Sequence, residues 1–426
     1  MGASACVQKG RRMGGQEHHW IAVWAASPQG PYPVGNPSAQ PDLSAVLPDP
    51  QLGAVDQTFR MIVRPSVWGS AVRIRFTNVF GRQPLTISQA LLALDGGGGG
   101  VLPGSSVALT FSGKDRTIIP AGGDQWSDPV SPAFLLGGPE GRNLAISFHV
   151  EGETGPLTWH AKALQTSYIA PPGSSVAEDE TGLAFPFTTT SWFLIDAVDM
   201  DVPGGRTIAA FGDSLTDGTF STLNGNDRWP DVLRRRLMAA GHPSVAVVNA
   251  GIGGNQILGP VRYDLTAPVP GGPSALHRLE RDILGLSGLY AVIWLEGIND
   301  GSANGCADPA KIIAGLQQGV ATMRAVLPAL RILGATIPGA TGSAVAGHGS
   351  AAQEACRQAV NRFIRTGGLF DAVCDFAAVT SDPETGALRP AFRPDSTMGG
   401  PGDGLHPNRA GYAAIAAAVN LAALNL

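Results

Sequence analysis

One serine, one histidine and one aspartate are spaced in this chain as the parts of a nucleophilic set. Phe211-Gly212-Asp213-Ser214-Leu215 follows the apolar run Thr207-Ile208-Ala209-Ala210, and Asp403-Gly404-Leu405-His406 stands near the other end. A serine hydroxyl is a weak nucleophile until an imidazole takes its proton and a carboxylate steadies that imidazole. A strand that turns sharply through Gly212 can present Ser214 at the rim of a sheet. Asp403 and His406 share one loop and can approach that hydroxyl together, His406 as base and Asp403 holding its tautomer. Taken singly, each signal is ordinary. Gly-Asp-Ser is also a turn or a helix cap, and Asp403 and His406 also read as a turn cap and a surface histidine before Pro407. The Gly-x-Ser-x-Gly elbow is absent, since Thr216 stands where its second glycine belongs.

A serine attack on a carbonyl creates an oxyanion, which needs donors already in place. Two further segments supply candidates: Asn249-Ala250-Gly251-Ile252-Gly253-Gly254-Asn255 and Gly297-Ile298-Asn299-Asp300. The N–H of Gly254 and the amide of Asn299 are the donors of choice, and the alternatives are a tight turn and a satisfied polar side chain. A dinucleotide loop is excluded because Gln256 occupies the place of the last glycine.

The elements that must position these residues divide the chain in two. From about Trp20 to Val202, short β-branched runs recur at 58–65, 71–79, 85–94, 106–111, 143–150, 158–169 and 189–198, with Ser66-Val67-Trp68-Gly69-Ser70 as a turn. The spacers are rich in Gly, Pro, Ser and Asp. Many short strands between turns predict a sandwich or jelly roll. From about Gly204, strand-like segments alternate with helix-like ones. Strands are expected at 208–211, 245–248, 289–295, 331–336 and 370–376, and helices at 227–240, 309–326, 350–366 and 408–424. Continuous apolar strands separated by helices predict a parallel sheet covered on both faces, with its ligand site at the carboxyl ends of the strands. Every candidate residue falls just after a strand or in the loop before the last helix.

In that order, Gly-Asp-Ser, a glycine after the second strand, Gly-x-Asn-Asp after the third and Asp-x-x-His near the end resemble the four blocks of the SGNH hydrolases, also called the GDSL family. The resemblance covers about 207–426. It implies a flavodoxin-like sheet and a serine esterase, with Ser214 as nucleophile, His406 as base and Asp403 as its partner. The oxyanion hole would be formed by the N–H of Ser214, the N–H of Gly254 and the amide of Asn299. Upstream, Trp24-Ala25-Ala26-Ser27-Pro28-Gln29, Val72-Arg73-Ile74-Arg75-Phe76-Thr77-Asn78 and Gln165-Thr166-Ser167-Tyr168 are similar to the β-rich region of a bacterial two-domain subgroup whose members are often exported. The expected organisation is a flexible tail over 1–18, a β-rich sandwich-like domain over 19–202 and the hydrolase domain over 203–426. The β-rich domain is expected to shape the substrate cleft. Trp20, Trp24, Trp68, Trp126, Trp159 and Trp192 are expected in core or interface, sugar stacking being the alternative.

Composition bounds the rest. A chain of 426 residues is long for one core. The formal charge of −5, with no Lys/Arg block, gives no reason to expect nucleic-acid binding. No apolar run is long enough for a membrane span, and Met1 to His19 shows no leader. Export is expected only if a leader has been removed. No two of Cys6, Cys306, Cys356 and Cys374 form a CxxC pair, so no zinc site is expected. Cys356 and Cys374 are close enough in the expected order of elements to meet, but free buried thiols are the reading of choice. The mechanism needs no metal and no organic cofactor. The expected partner is a small-molecule or glycan ester. Rival readings are a polysaccharide deacetylase or an acyltransferase with the same residues, and a carbohydrate-binding protein with a silent hydrolase domain.

Overall fold

The computed structural model describes residues 18–426. The tail expected over 1–18 and Cys6 fall outside it, except for His18, whose Nδ1 is 2.9 Å from Asp201 Oδ2.

The second half holds a five-stranded, wholly parallel sheet. Its order is Val245–Gly251, Arg206–Gly212, Leu289–Leu295, Arg331–Ala335, Ala372–Cys374. Numbered along the chain this is 2-1-3-4-5, the flavodoxin-like order, whose switch point lies beside the first strand. The strand Leu289–Leu295, Leu-Tyr-Ala-Val-Ile-Trp-Leu, has no polar alternation because helices cover both faces. The helix Pro309–Val326 starts where Asp308 accepts from Lys311 N at 3.0 Å and Pro309 occupies the first turn. It lies close on the sheet because Gly319 is bare: a Cβ there would stand 2.3 Å from the Trp294 ring.

Several boundaries differ from expectation, each for a local reason. The strand expected over 370–376 shrinks to Ala372–Cys374, because Asp375 accepts from Ala378 N and starts the helix Phe376–Thr380. The final helix is Arg409–Ala417 rather than 408–424. Asn420 takes the Ala422 N–H at 3.1 Å and begins a separate short turn, Leu421–Leu424. A helix not anticipated, Ala275–Leu279 running into a wider turn Glu280–Leu284, follows Ser274 as its cap. Cys356 and Cys374 are both free and buried.

The first half is antiparallel. One sheet runs Trp20–Ala25, Ile195–Asp201, Val72–Thr77, Asp124–Trp126; a larger one is built around Val55–Val63, Leu144–Glu153 and Leu85–Gly97. A third, three-stranded sheet runs Trp192–Phe193, Thr158–His160, Gly30–Pro31, and side chains from all three fill a common core that includes Phe59, Phe76, Phe148, Trp192 and Phe193. The run expected as one strand over 158–169 is two strands in two sheets, Thr158–His160 and Ser167–Ile169. The residues between leave the sheets for the other half: the Ala163 carbonyl accepts from Arg228 and the Leu164 carbonyl from Asn224 N. The run 189–198 likewise splits into Trp192–Phe193 and Ile195–Asp201 at Leu194, which turns through φ 59°.

The halves share a seam. Ala22 N donates to Ser287 O at 2.9 Å, and Thr207 Oγ1 donates to Ala22 O at 3.0 Å. Ala22 and Ala25 pack into the core of the parallel-sheet half, while Ala246 packs into the β-rich core. Among the described residues, no helix is long and apolar enough to cross a membrane.

Candidate active site

Ser214 opens a single helical turn, Ser214–Asp217, at the carboxyl end of the strand Arg206–Gly212. Asp213 caps that turn by accepting from Leu215 N at 2.9 Å. Gly212 has no room for a side chain, since a Cβ would lie 2.1 Å from the Leu295 carbonyl oxygen on the neighbouring strand. The turn is therefore held tight against the sheet rim, at the switch point.

His406 Nε2 lies 2.8 Å from Ser214 Oγ, and His406 Nδ1 lies 2.6 Å from Asp403 Oδ2. Asp403 Oδ1 accepts from the N–H groups of Leu405 and His406, each at 2.9 Å, so the loop's own backbone fixes the carboxylate. Ser214 is 5% exposed and His406 8%. Burial pushes the His406 pKa below its usual 6.5, helped by the charges of Lys162 and His348, while Asp403 opposes the shift. The imidazole is thus neutral at neutral pH and able to accept a proton. Burial alone would raise the Asp403 pKa. The hydrogen bond and charge of His406, with the two backbone donors, bring it below 3.8 instead.

The glycine loop after Val245–Gly251 is tied to the serine turn. Gly253 N donates to Asp217 Oδ2 at 2.8 Å, and Ile252 N donates to Gly212 O at 3.1 Å. Gly254 adopts φ 82°, in the left-handed region that favours glycine. Asn299 Nδ2 donates to Asn255 O at 2.9 Å, which fastens the amide to the same loop, and His348 Nε2 lies 3.2 Å from Asn299 Oδ1. Among the described residues, neither the Ser214 N–H nor the Gly254 N–H has a protein acceptor. The structure therefore joins Ser214, Asp403 and His406 in one hydrogen-bonded chain, and it brings Asn299 to the Gly254–Asn255 loop.

Residues that the sequence did not single out complete the surroundings. Arg278, from the unanticipated helix, is 1% exposed and ties the strand ends together. Its Nη2 donates to Gly212 O at 2.8 Å, Nη1 to Ala250 O at 2.8 Å and Nε to Asn255 Oδ1 at 2.8 Å. Beneath the serine turn lie two buried carboxyls. Desolvation pushes Glu296 up to about 7, against the pull of Arg278 and the Trp294 N–H, and it raises Asp213 well above 3.8 with help from Glu296. From the β-rich half, His160 bridges Ser27 O at 2.8 Å and Asp217 Oδ1 at 3.1 Å, and Asn36 Nδ2 donates to Gly253 O at 3.0 Å. None of these carries a motif; a lone Arg, His or Asn is legible only once its neighbours in space are known.

Residues 210–414 match the model of the GDSL-like lipase/acylhydrolase family. This part of the chain is a GDSL-like acylhydrolase domain. The activity class that goes with it is carboxylic ester hydrolysis. Among solved structures, the chain is similar to a putative arylesterase from Agrobacterium tumefaciens (24% identity, 50% of this chain and 95% of that one, TM-score 0.38). It is also similar to a carbohydrate acetylesterase from Sinorhizobium meliloti (16%, 50% and 94%, TM-score 0.37) and to the aryl esterase of M. smegmatis (20%, 50% and 96%, TM-score 0.37). No curated protein matches the chain.

Proposed function

We propose that this acylhydrolase cleaves short-chain or acetyl carboxylic esters through an acyl-enzyme on Ser214. The reading is supported above all by the unbroken relay from Ser214 Oγ through both ring nitrogens of His406 to Asp403 Oδ2, at 2.8 and 2.6 Å. Ser214 Oγ attacks the ester carbonyl carbon as His406 Nε2 takes its proton. The resulting oxyanion is received by the N–H groups of Ser214 and Gly254 and by the Asn299 amide. The C–O bond to the alcohol breaks, and His406 returns the proton to the departing oxygen. Water then attacks the acyl-serine with His406 again as base, releasing the acid and restoring the serine. Asp403 keeps Nδ1 protonated and stabilises the imidazolium throughout.

Two domains, 19–202 and 203–426, fit this reading. The first is sandwich-like, as its antiparallel sheets around one core suggest, and it walls one side of the cleft through Asn36, His160 and Lys162.

The decisive experiment is Ser214→Ala with 4-nitrophenyl acetate. Turnover should fall by roughly 10⁴-fold or more with the melting temperature retained, and a fluorophosphonate probe should label the wild-type chain at Ser214. Unchanged turnover, or labelling elsewhere, removes the proposal. Transfer of the acetyl group to added alcohols in place of water would identify the acyltransferase variant of the same chemistry.

A further inference from the structure

Lys162 stands in the segment that leaves the β-rich sheets between Thr158–His160 and Ser167–Ile169, and its side chain crosses to the acylhydrolase half. It is 4% exposed. Its Nζ donates to Thr219 Oγ1 at 2.5 Å, and this neutral hydroxyl is its one acceptor among the described residues. The acids that face it are already engaged: Asp217 holds His160 and Gly253 N, Asp403 holds His406, and Asp213 caps Leu215 N. The ammonium rests on the glycine loop. A Cβ built on Gly253 would meet Nζ at 3.0 Å and Cε at 3.3 Å, so the bare glycine leaves the space that the ammonium fills. Asn36, from the same half, holds the loop through the Gly253 carbonyl.

An ammonium taken out of water without an ion-pair partner is costly. Its place gives the cost a purpose: it lies against the loop whose next residue offers the unpaired Gly254 N–H. We propose that Lys162 is a fixed positive charge, supplied by the β-rich half, that favours the anionic tetrahedral intermediate over the neutral ester. This rests on the reading of Ser214 as nucleophile. In a buried site a charge acts strongly over several ångströms, and because the ammonium is already in place it needs no reorganisation when the oxyanion forms. Lys162 does not touch the reacting atoms in this account; it acts through the field on the loop.

The same field reaches His406, which faces Asp403, Lys162 and His348. Lys162 and His348 hold its pKa down, so a neutral residue at 162 should move the acid limb of the rate profile to higher pH. Lys162 faces Asp217, Asp403 and Asp213, but burial outweighs them and brings it below 10.5. The wild-type rate should therefore fall again on the alkaline side, below pH 10.5.

The test uses the full-length chain and two substrates, neutral 4-nitrophenyl acetate and mono-4-nitrophenyl succinate, whose free carboxylate carries a charge. In Lys162→Met and Lys162→Gln, kcat/KM should fall roughly tenfold or more, by the same factor for both esters and mainly in kcat. The acid limb should move up, the alkaline limb should vanish, and the melting temperature should hold or rise because an unpaired buried charge is gone. A loss confined to the succinate ester would assign Lys162 to a substrate carboxylate and overturn the proposal. So would unchanged rates and limbs, or a loss that only tracks a lowered melting temperature. If neither variant folds, the wild-type profile decides, and the absence of an alkaline limb rejects the idea. Failure of the Ser214 reading would be seen separately, in Ser214→Ala and the fluorophosphonate probe.

Discussion

In the parallel-sheet half, the polar groups that matter stand at strand ends and in the loops that follow. In the β-rich half, they stand at the end of a strand or on excursions that leave the sheets. Ser214 follows its strand by two residues and Asn299 follows Leu289–Leu295 by four, while His160 is the last residue of Thr158–His160 and Asn36 and Lys162 lie outside any strand. The charges differ too. In the β-rich half, buried Arg75 pairs with Asp196 at 2.6 Å and half-buried Arg73 with Asp199 at 2.7 Å, while buried Arg60 is satisfied by Ser147 Oγ and backbone carbonyls. The lysine it sends across the seam has no carboxylate partner among the described residues. The parallel-sheet half thus places its candidate residues by strand ends, whereas the β-rich half reaches them through single side chains that cross the seam.

Four substitutions test how far each half of the molecule depends on the other. The largest effect is expected at Asp403→Asn, which keeps the shape and loses the carboxylate. Its kcat for 4-nitrophenyl acetate should drop by roughly 10⁴-fold, and a loss under tenfold would remove Asp403 from the relay. Next is Phe148→Ala in the β-rich core. Phe148 is fully buried, stacked on Phe59 at 5.7 Å and edge-on to Phe76 at 5.3 Å. The cavity should cost about 3–5 kcal/mol. Because residues of each half pack into the core of the other and hydrogen bonds cross the seam, activity should be lost in the same thermal transition as the β-rich half. Esterase activity that outlasts that transition would show the acylhydrolase half working alone.

Asn299→Ala should lower kcat by roughly 10²–10³ with little change in KM, and a similar rise in KM alone would reassign the amide to ground-state binding. The smallest effect belongs to Glu296→Gln. Glu296 keeps its proton up to about 7 in the folded chain but ionises near 4.5 when unfolded. The folded state therefore binds the extra proton between those values, and stability falls as pH rises through that window, by about 3 kcal/mol. The glutamine variant should be the more stable at pH 8 and equal to wild type near pH 4.5 in denaturant unfolding. Parallel pH curves for the two proteins would place the titration elsewhere.

What could be read from the sequence follows the range of the interactions involved. Ser214, Gly254, Asn299, Asp403 and His406 could be named as candidates because each sits beside a local signal, a strand end, a glycine turn or a helix cap, and their order along the chain suits one crevice. The helix Pro309–Val326 was legible from Asp308 and Pro309 for the same reason. The split of 158–169 was not, because the residues that pull this segment from the sheet, Asn224 and Arg228, are distant in sequence.

By itself, then, the order of residues determined the alternation of strands and helices, the strand-end places of the candidate nucleophile and its partners, and the β character of the first half. These depend on backbone preferences and short-range periodicity, which act within a few residues. Tertiary structure alone decided that Arg278 would bind three strand-end groups together, that His160 and Asn36 would cross the seam, and that an ammonium from 162 would come to rest against a glycine at 253. Such contacts join residues with no shared period or spacing, and only the folded chain brings them within reach.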